Sequence, residues 1–86
     1  MIVRTWHGCV PARHAEGFAT HLQKTGVEHS AATPGNLGAY VRRETQGEWE
    51  HFFLATYWED SEAIKAFAGD QYQIAVTYPD DEQYEL

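Results

Sequence analysis

The sequence predicts an α+β fold, a ferredoxin-like split βαβ unit in which an antiparallel sheet carries its helices on one face. Three observations point there. The stretch from His51 to Gly69 changes within one segment from a period-two strand pattern to a capped helix. Before it comes a hairpin signal, Gln46-Gly47, between two strand-like runs, and before that an amphipathic helix preceded by another strand. The resulting order is strand, helix, hairpin, helix, with a short remainder for a last strand.

Each element has a local reason. Ile2 to Val10 alternates, with Ile2, Arg4, Trp6, Gly8 and Val10 on one face and Val3, Thr5, His7 and Cys9 on the other. Pro11 suits the first turn of a helix. From Ala12 to about Glu28, Ala15, Phe18, Ala19 and Leu22 recur at i, i+3, i+4 and i+7, which makes one apolar stripe, and Gly26 weakens the last turn. Thr33-Pro34-Gly35-Asn36 has the order a type II turn prefers and leads into a second strand from Leu37 to Thr45. The third strand runs from Glu48 to Trp58. Phe52, Leu54, Thr56 and Trp58 share one of its faces and Phe53, Ala55 and Tyr57 the other, so both faces are largely apolar and both need a cover. The chain's own helices cover one; a second subunit is the expected cover for the other. Asp60 is the expected N-cap of a second helix, with Ala63, Ile64 and Phe67 inward and Gly69 as a left-handed C-cap. Gln71 to Tyr78 offers a further short helix, with Ile74, Ala75 and Tyr78 inward, ended by Pro79; Gln83 to Leu86 then either form a short last strand or leave the edge of strand one exposed.

Residues 1–86 form a single domain, and 43% hydrophobic content with three Trp, five Tyr and four Phe is enough for a compact core. The lone Cys9 excludes an internal disulfide and fits a reducing, cytoplasmic setting. No apolar run approaches the roughly 20 residues of a membrane span. The charges of residues 1–58 cancel. The net charge of −7 therefore comes from residues 59–86, where Lys65 stands alone against the acids. Nucleic acid and anionic membranes attract basic patches, so neither is an expected partner. The acidic end reads as a solvated surface.

The junction Trp58-Glu59-Asp60-Ser61-Glu62-Ala63, the downstream Ala66-Phe67, the Thr33-Pro34-Gly35 turn and the overall length resemble the antibiotic biosynthesis monooxygenase family of the dimeric α+β barrel superfamily. The resemblance implies a homodimer whose sheets pack together, with a ligand pocket in each subunit between sheet and helices. Members include cofactor-independent monooxygenases acting on polycyclic phenols, haem-degrading enzymes, and proteins of no known reaction. The haem-degrading branch resembles itself in an asparagine on strand one, a tryptophan late in helix two and a histidine about ten residues on. These positions fall at Trp6 or His7, at Phe67 and at Thr77, and none matches. Threonine is not among the usual axial ligands of haem iron, so haem degradation is disfavoured and no cofactor is expected. Family members also continue past the tyrosine-proline step, here Tyr78-Pro79, into a well-formed last strand; this chain ends almost at once.

Two sets of side chains are candidates for chemistry. His51 is in phase with Phe53 and Tyr57, and a ferredoxin-like order puts its strand beside the one carrying His7. If they share a face, one serves as a general base and the other orients substrate. Trp6, Tyr40, Arg42 and Trp58 form the second set: a cofactor-free oxygenase needs a flat apolar slot and donors for a phenolate, because the electron-rich substrate itself supplies the electron to oxygen. Trp58 is the best supported, since its place at the end of strand three matches the family pattern. The same aromatic residues also suit an ordinary core. His7 and Cys9 lie about 7 Å apart on one strand face, but no third ligand is near and no metal site is expected. His14 and His21 lie about 10 Å apart on helix one, too far for one ion, and are expected to face solvent; His29 is expected to interact with a helix C-terminus. Two readings follow: a cofactor-independent, monooxygenase-like protein binding a small aromatic or quinol-type molecule, or a non-catalytic ligand-binding or assembly protein on the same fold.

Overall fold

The computed structural model describes residues 1–70, 76 and 78–86, with Pro79 and Asp80 described by their backbone alone. Among the described residues three strands form one antiparallel sheet: β1 (Ile2–Pro11), β2 (Asn36–Gln46) and β3 (Trp49–Trp58), in the order β1-β3-β2. The most apolar strand is thus the central one, paired on both sides. The helical connection from β1 to β2 starts as a 3-10 turn, Ala12–His14, and becomes the α-helix α1 (Ala15–Leu22). It widens into a π turn, Gln23–Val27, and closes as the short α2 (Glu28–Ala31). The helix α3 (Ser61–Ala68) follows β3, and a 3-10 helix, Pro79–Tyr84, lies near the C-terminus. This is the α+β, ferredoxin-like arrangement, with helices on one face of an antiparallel sheet.

The local signals act as their chemistry requires. Asp60 caps α3 by accepting a hydrogen bond from the Ala63 amide at 3.0 Å, and Gly69 ends the helix with a positive φ of 84° but an extended ψ of −179°, in place of the left-handed cap expected. Gly35 takes a φ of 91° in the Thr33–Asn36 turn, where a Cβ would come within 2.5 Å of the Ala63 Cβ; the turn is packed directly on α3. The turn is closed by the Asn36 amide donating to the Thr33 carbonyl at 3.1 Å. In the hairpin, Gln46 pairs with Trp49, so the turn is carried by Gly47 and Glu48.

The core lies between the sheet and α1. Val10, Phe18, Leu22, Phe52 and Leu54 form it, with Trp6, Ala19, Val27, Ala39 and Tyr84 packed around it. Trp58 is 0% exposed; its indole N–H donates to the Thr56 hydroxyl at 2.9 Å and its ring meets Phe67 at 5.6 Å. Gly26, in the π turn, sits where a Cβ would be 3.0 Å from side-chain carbons of both Leu22 and Leu54, so the helix backbone approaches the sheet closely there. The residue that weakens a helix turn in isolation is the one that admits close packing.

Three expectations are decided or corrected. Gln83 to Leu86 do not form a strand: Gln83 and Tyr84 belong to the 3-10 helix, and among the described residues nothing pairs with the free edge of β1. His14 and His21 face the C-terminal segment rather than solvent. His21 Nε2 is 2.7 Å from Asp81 Oδ1 with its side chain only 10% exposed, and His14 Nε2 is 2.9 Å from Glu85 Oε2. The acidic end is therefore partly a docking surface, bound to α1 by these pairs, by Arg13 with Glu85, and by the Tyr84 ring against Phe18 and His21. The third correction concerns Gly26, which lies inside a longer helical run and not at its end. The further short helix expected over Gln71 to Tyr78 lies largely outside the described residues.

Two stability predictions follow. Trp58→Ala removes a fully buried indole and should cost about 3–5 kcal/mol in denaturant unfolding; a loss below about 1 kcal/mol would contradict its placement in the core. Second, three carboxyls are held below the usual glutamate range: Glu50 chiefly by the Thr45 hydroxyl and then Arg43, Glu16 by Arg43, and Glu85 by His14 and then Arg13. A carboxyl whose folded-state pKa is lowered contributes stability above its unfolded pKa of about 4.3, and that contribution disappears as pH falls through the folded value. The melting temperature should therefore drop as pH is lowered from about 4.5, and Glu50→Gln should make that drop shallower.

Candidate functional site

Alternation along β1 and β3 directs Arg4, Trp6, Leu54 and Thr56 to the helix-bearing face of the sheet. There they meet α1, the π turn, α3 and the C-terminal segment around a cavity of about 510 Å³ counted to its open mouth, of which about 50 Å³ has room for the centre of a water molecule. Its walls are apolar, formed by Trp6, Phe18, Leu22, Leu54 and Phe67. Its polar groups are Arg4, Thr25, Thr56, Tyr78 and Asp81. The π turn supplies Thr25 and Gly26, so the irregular part of the first crossover is the part that borders the cavity.

The polar end is organised by a few bonds. The Arg4 guanidinium lies 5.7 Å from the Phe67 ring centre, and burial lowers its pKa while the neighbouring Tyr78 opposes that shift. Arginine's ordinary pKa is high enough that it stays charged. Burial raises the pKa of the Tyr78 phenol, Asp81 raises it further, and Arg4 opposes both. The Tyr78 hydroxyl is 2.7 Å from His29 Nδ1 and 3.5 Å from the Thr25 carbonyl. Both contacts are satisfied together when His29 carries its proton on Nδ1 and donates, leaving the phenol to donate to the carbonyl. Asp81 uses both oxygens, one against His21 and one accepting from the Tyr78 amide at 2.9 Å. An apolar slot ending in a cation and a phenol suits a flat molecule with a phenolic or anionic oxygen.

The six side chains singled out from the sequence are divided by the sheet. Trp6 lines the cavity, and Trp58 stands one layer behind it, against Phe67. Tyr40 and Arg42 are on the opposite, outer face, Tyr40 beside Tyr57 at 5.9 Å and Arg42 over Phe53 at 4.0 Å. Trp6, Tyr40, Arg42 and Trp58 are therefore not brought together. The reason is the irregularity in β2: Asn36 pairs with Trp58 but Gly38 pairs with Tyr57, so one extra residue enters β2 and every later side chain changes face. Without it Tyr40 and Arg42 would point at the helices. His7 and His51 do share a face, the outer one, with His7 Nε2 and His51 Nδ1 2.9 Å apart; the sheet separates them from the cavity.

The structure adds Arg4, Thr25, Tyr78 and Asp81 to the candidates. Arg4 had a sequence signal: it is the charged residue on the strand face it shares with Trp6 and Val10. Tyr78 also had one, as an inward residue at the tyrosine-proline step, but nothing local showed that it would meet Arg4 and His29. His29 interacts with Tyr78 and, at 4.7 Å, with the edge of Phe67. Among the described residues, no three His, Cys, Asp or Glu side chains are grouped so as to hold a metal ion, and no helix is long and apolar enough to cross a membrane. Of the three positions compared with the haem-degrading branch, Trp6 and Phe67 border the cavity, and Thr77 lies outside the described residues.

Neither a curated protein nor a solved structure matches the chain. A family model described as antibiotic biosynthesis monooxygenase matches residues 2–76, from the first strand to beyond α3. Proteins of this family are typically dimeric. The match extends over nearly all of the chain, and the strand order and the placement of its helices agree with it: the chain belongs to the antibiotic biosynthesis monooxygenase family.

Proposed function

We propose that this protein binds a small aromatic or quinol-type molecule in the cavity between sheet and helices and oxygenates it without a metal or organic cofactor. One observation carries the reading: Arg4 and Tyr78 sit together on a cavity walled by Trp6, Phe18 and Phe67. An electron-rich phenolate held by Arg4 can itself give the electron that dioxygen needs, so the protein's share is to bind the ring, stabilise its oxyanion and keep water away. Tyr78, in contact with His29, is placed to hold or return the phenolic proton. The His7–His51 pair can act as base and orienting group only for a ligand on the outer face. The lone Cys9 supports a cytoplasmic setting.

The same reading includes a homodimer formed through the outer face. Phe53 and Tyr57 lie on that face beside Val3 and Tyr40, which are 50% and 64% exposed in the single chain. A second copy would cover this apolar surface. The second reading is a non-catalytic ligand-binding or assembly protein on the same fold, its pocket largely filled by its own side chains, which the small room that Trp6, Phe18, Leu22, Leu54 and Phe67 leave between them favours.

Titrating the protein with polycyclic phenols and quinols while following tryptophan emission tests the first reading. Saturable quenching at micromolar levels is expected, weakened about tenfold or more by Arg4→Leu, which corresponds to about 1.4 kcal/mol. Oxygen uptake with a bound phenol supports catalysis; binding without uptake leaves the non-catalytic reading, and selective binding of haem would overturn both the phenol assignment and the exclusion of that branch. For the dimer, Phe53→Asp or Tyr57→Asp places an unpaired charge in the contact and should give monomer or aggregate by light scattering. An unchanged mass would reject this interface.

A further inference from the structure

The outer face that a second copy would cover carries a titratable pair that the cavity chemistry does not use. His7 and His51 approach through ring nitrogens 2.9 Å apart, with ring centres 5.1 Å apart and planes within 5°. The rings therefore meet edge to edge through one N–H···N bond, in which one nitrogen donates and the other must stay unprotonated. The pair belongs to the same patch as the contact residues: the Phe53 ring is stacked on His7 at 4.6 Å and lies 6.5 Å from His51. A second copy that covers Phe53 covers both imidazoles with it. The other titratable and charged groups on this face offer little compensation for added charge. Cys9 on β1, Tyr57 on β3 and Tyr40 on β2 are uncharged near neutral pH. Glu44 is opposite His51 on β2 but lies 3.6 Å from Arg42, whose guanidinium stacks over Phe53. Across the sheet, Glu50 feels His51 but is already held by Arg43 and Thr45.

We propose that the His7–His51 pair makes the homodimer sensitive to pH, so that acid separates it into single chains. This rests on the reading that the dimer forms through the outer face, and it is independent of the cavity's function. A first added proton goes to the far nitrogen of the donating ring and leaves the N–H···N bond in place. A second must go to the accepting nitrogen; two N–H groups then oppose each other, and two positive charges face across the gap. In a single chain, where His7 is exposed and His51 half-buried, the rings can turn apart and water solvates them. Under a second copy they are held beside Phe53, where a charge without a partner is costly. Two separate chains therefore bind more protons than the dimer. By linkage, dimer stability rises with pH wherever the separated chains hold the extra protons. It falls as pH drops through the region of about 6.5 in which imidazoles ordinarily titrate.

The test is sedimentation of the full chain over a concentration series at about pH 7.5 and about pH 5.5, both above the range where ordinary carboxyls titrate. The dissociation constant of the dimer should rise about tenfold or more at the lower pH, with far-UV circular dichroism unchanged. His7→Gln combined with His51→Gln keeps polar side chains that do not charge and should remove this dependence, whereas His29→Gln, on the helix side of the sheet, should retain it. Calorimetric dilution of the unaltered protein at about pH 6, in two buffers of different ionisation heat, reads the coupled protons without a variant; about one or more taken up per chain is expected. An equal dissociation constant at both pH values overturns the switch and leaves the dimer standing, while single chains at both overturn the dimer and the switch together. A pH dependence that survives in the double variant, or dissociation without proton uptake, also overturns the proposal.

Discussion

The fold depends on β3 lying in the middle of the sheet with two apolar faces. Phe52, Leu54 and Trp58 face the helices, while Phe53, Ala55 and Tyr57 face outward, and hydrogen bonds to β1 and β2 hold both rows in place. Because the side-chain period of a strand is two, this register decides which side of the molecule each residue of β1 and β2 joins. The assignment of Arg4 to the cavity and of His7 to the outer face is one consequence. The extra residue in β2 between Asn36 and Gly38 is the other determinant, since it sends Tyr40 and Arg42 away from the cavity and leaves Arg43 to bridge Glu16 and Glu50 on the helix side.

The C-terminal segment completes what the sheet begins. Its acids meet the basic and histidine side chains of the first helical run, Asp81 with His21 and Glu85 with His14 and Arg13, while Tyr84 packs on Phe18. Exposed pairs of this kind contribute little individually. The His21–Asp81 contact is more sheltered, with side chains 10% and 15% exposed. Together these contacts bring Tyr78 and Asp81 to the cavity, so a segment with a large negative charge serves as part of its wall.

The two faces of the sheet thus offer different chemistry. The helix side holds an apolar slot bordered by the half-buried Arg4 and the Tyr78 phenol. The outer side holds paired imidazoles, an arginine stacked on an aromatic ring and exposed apolar side chains. The sheet keeps the two apart.

The sequence alone determined the element order and the capping residues. It also showed the apolar character of both faces of β3 and the family to which the chain belongs, because each depends on patterns within a few residues of one another. Asp60, Gly35 and the stripe through Phe18 and Leu22 act locally, and their roles were legible. The histidine pair required only the strand order and alternation already implied, although its bond length did not follow from them. The composition of the cavity was decided by tertiary structure. Tyr40 and Arg42 were misplaced because a one-residue irregularity has no clear sequence mark yet reverses every side chain beyond it. Tyr78, Asp81 and His21 come together only through the return of the chain across α1, a contact between residues far apart in sequence that no local pattern specifies.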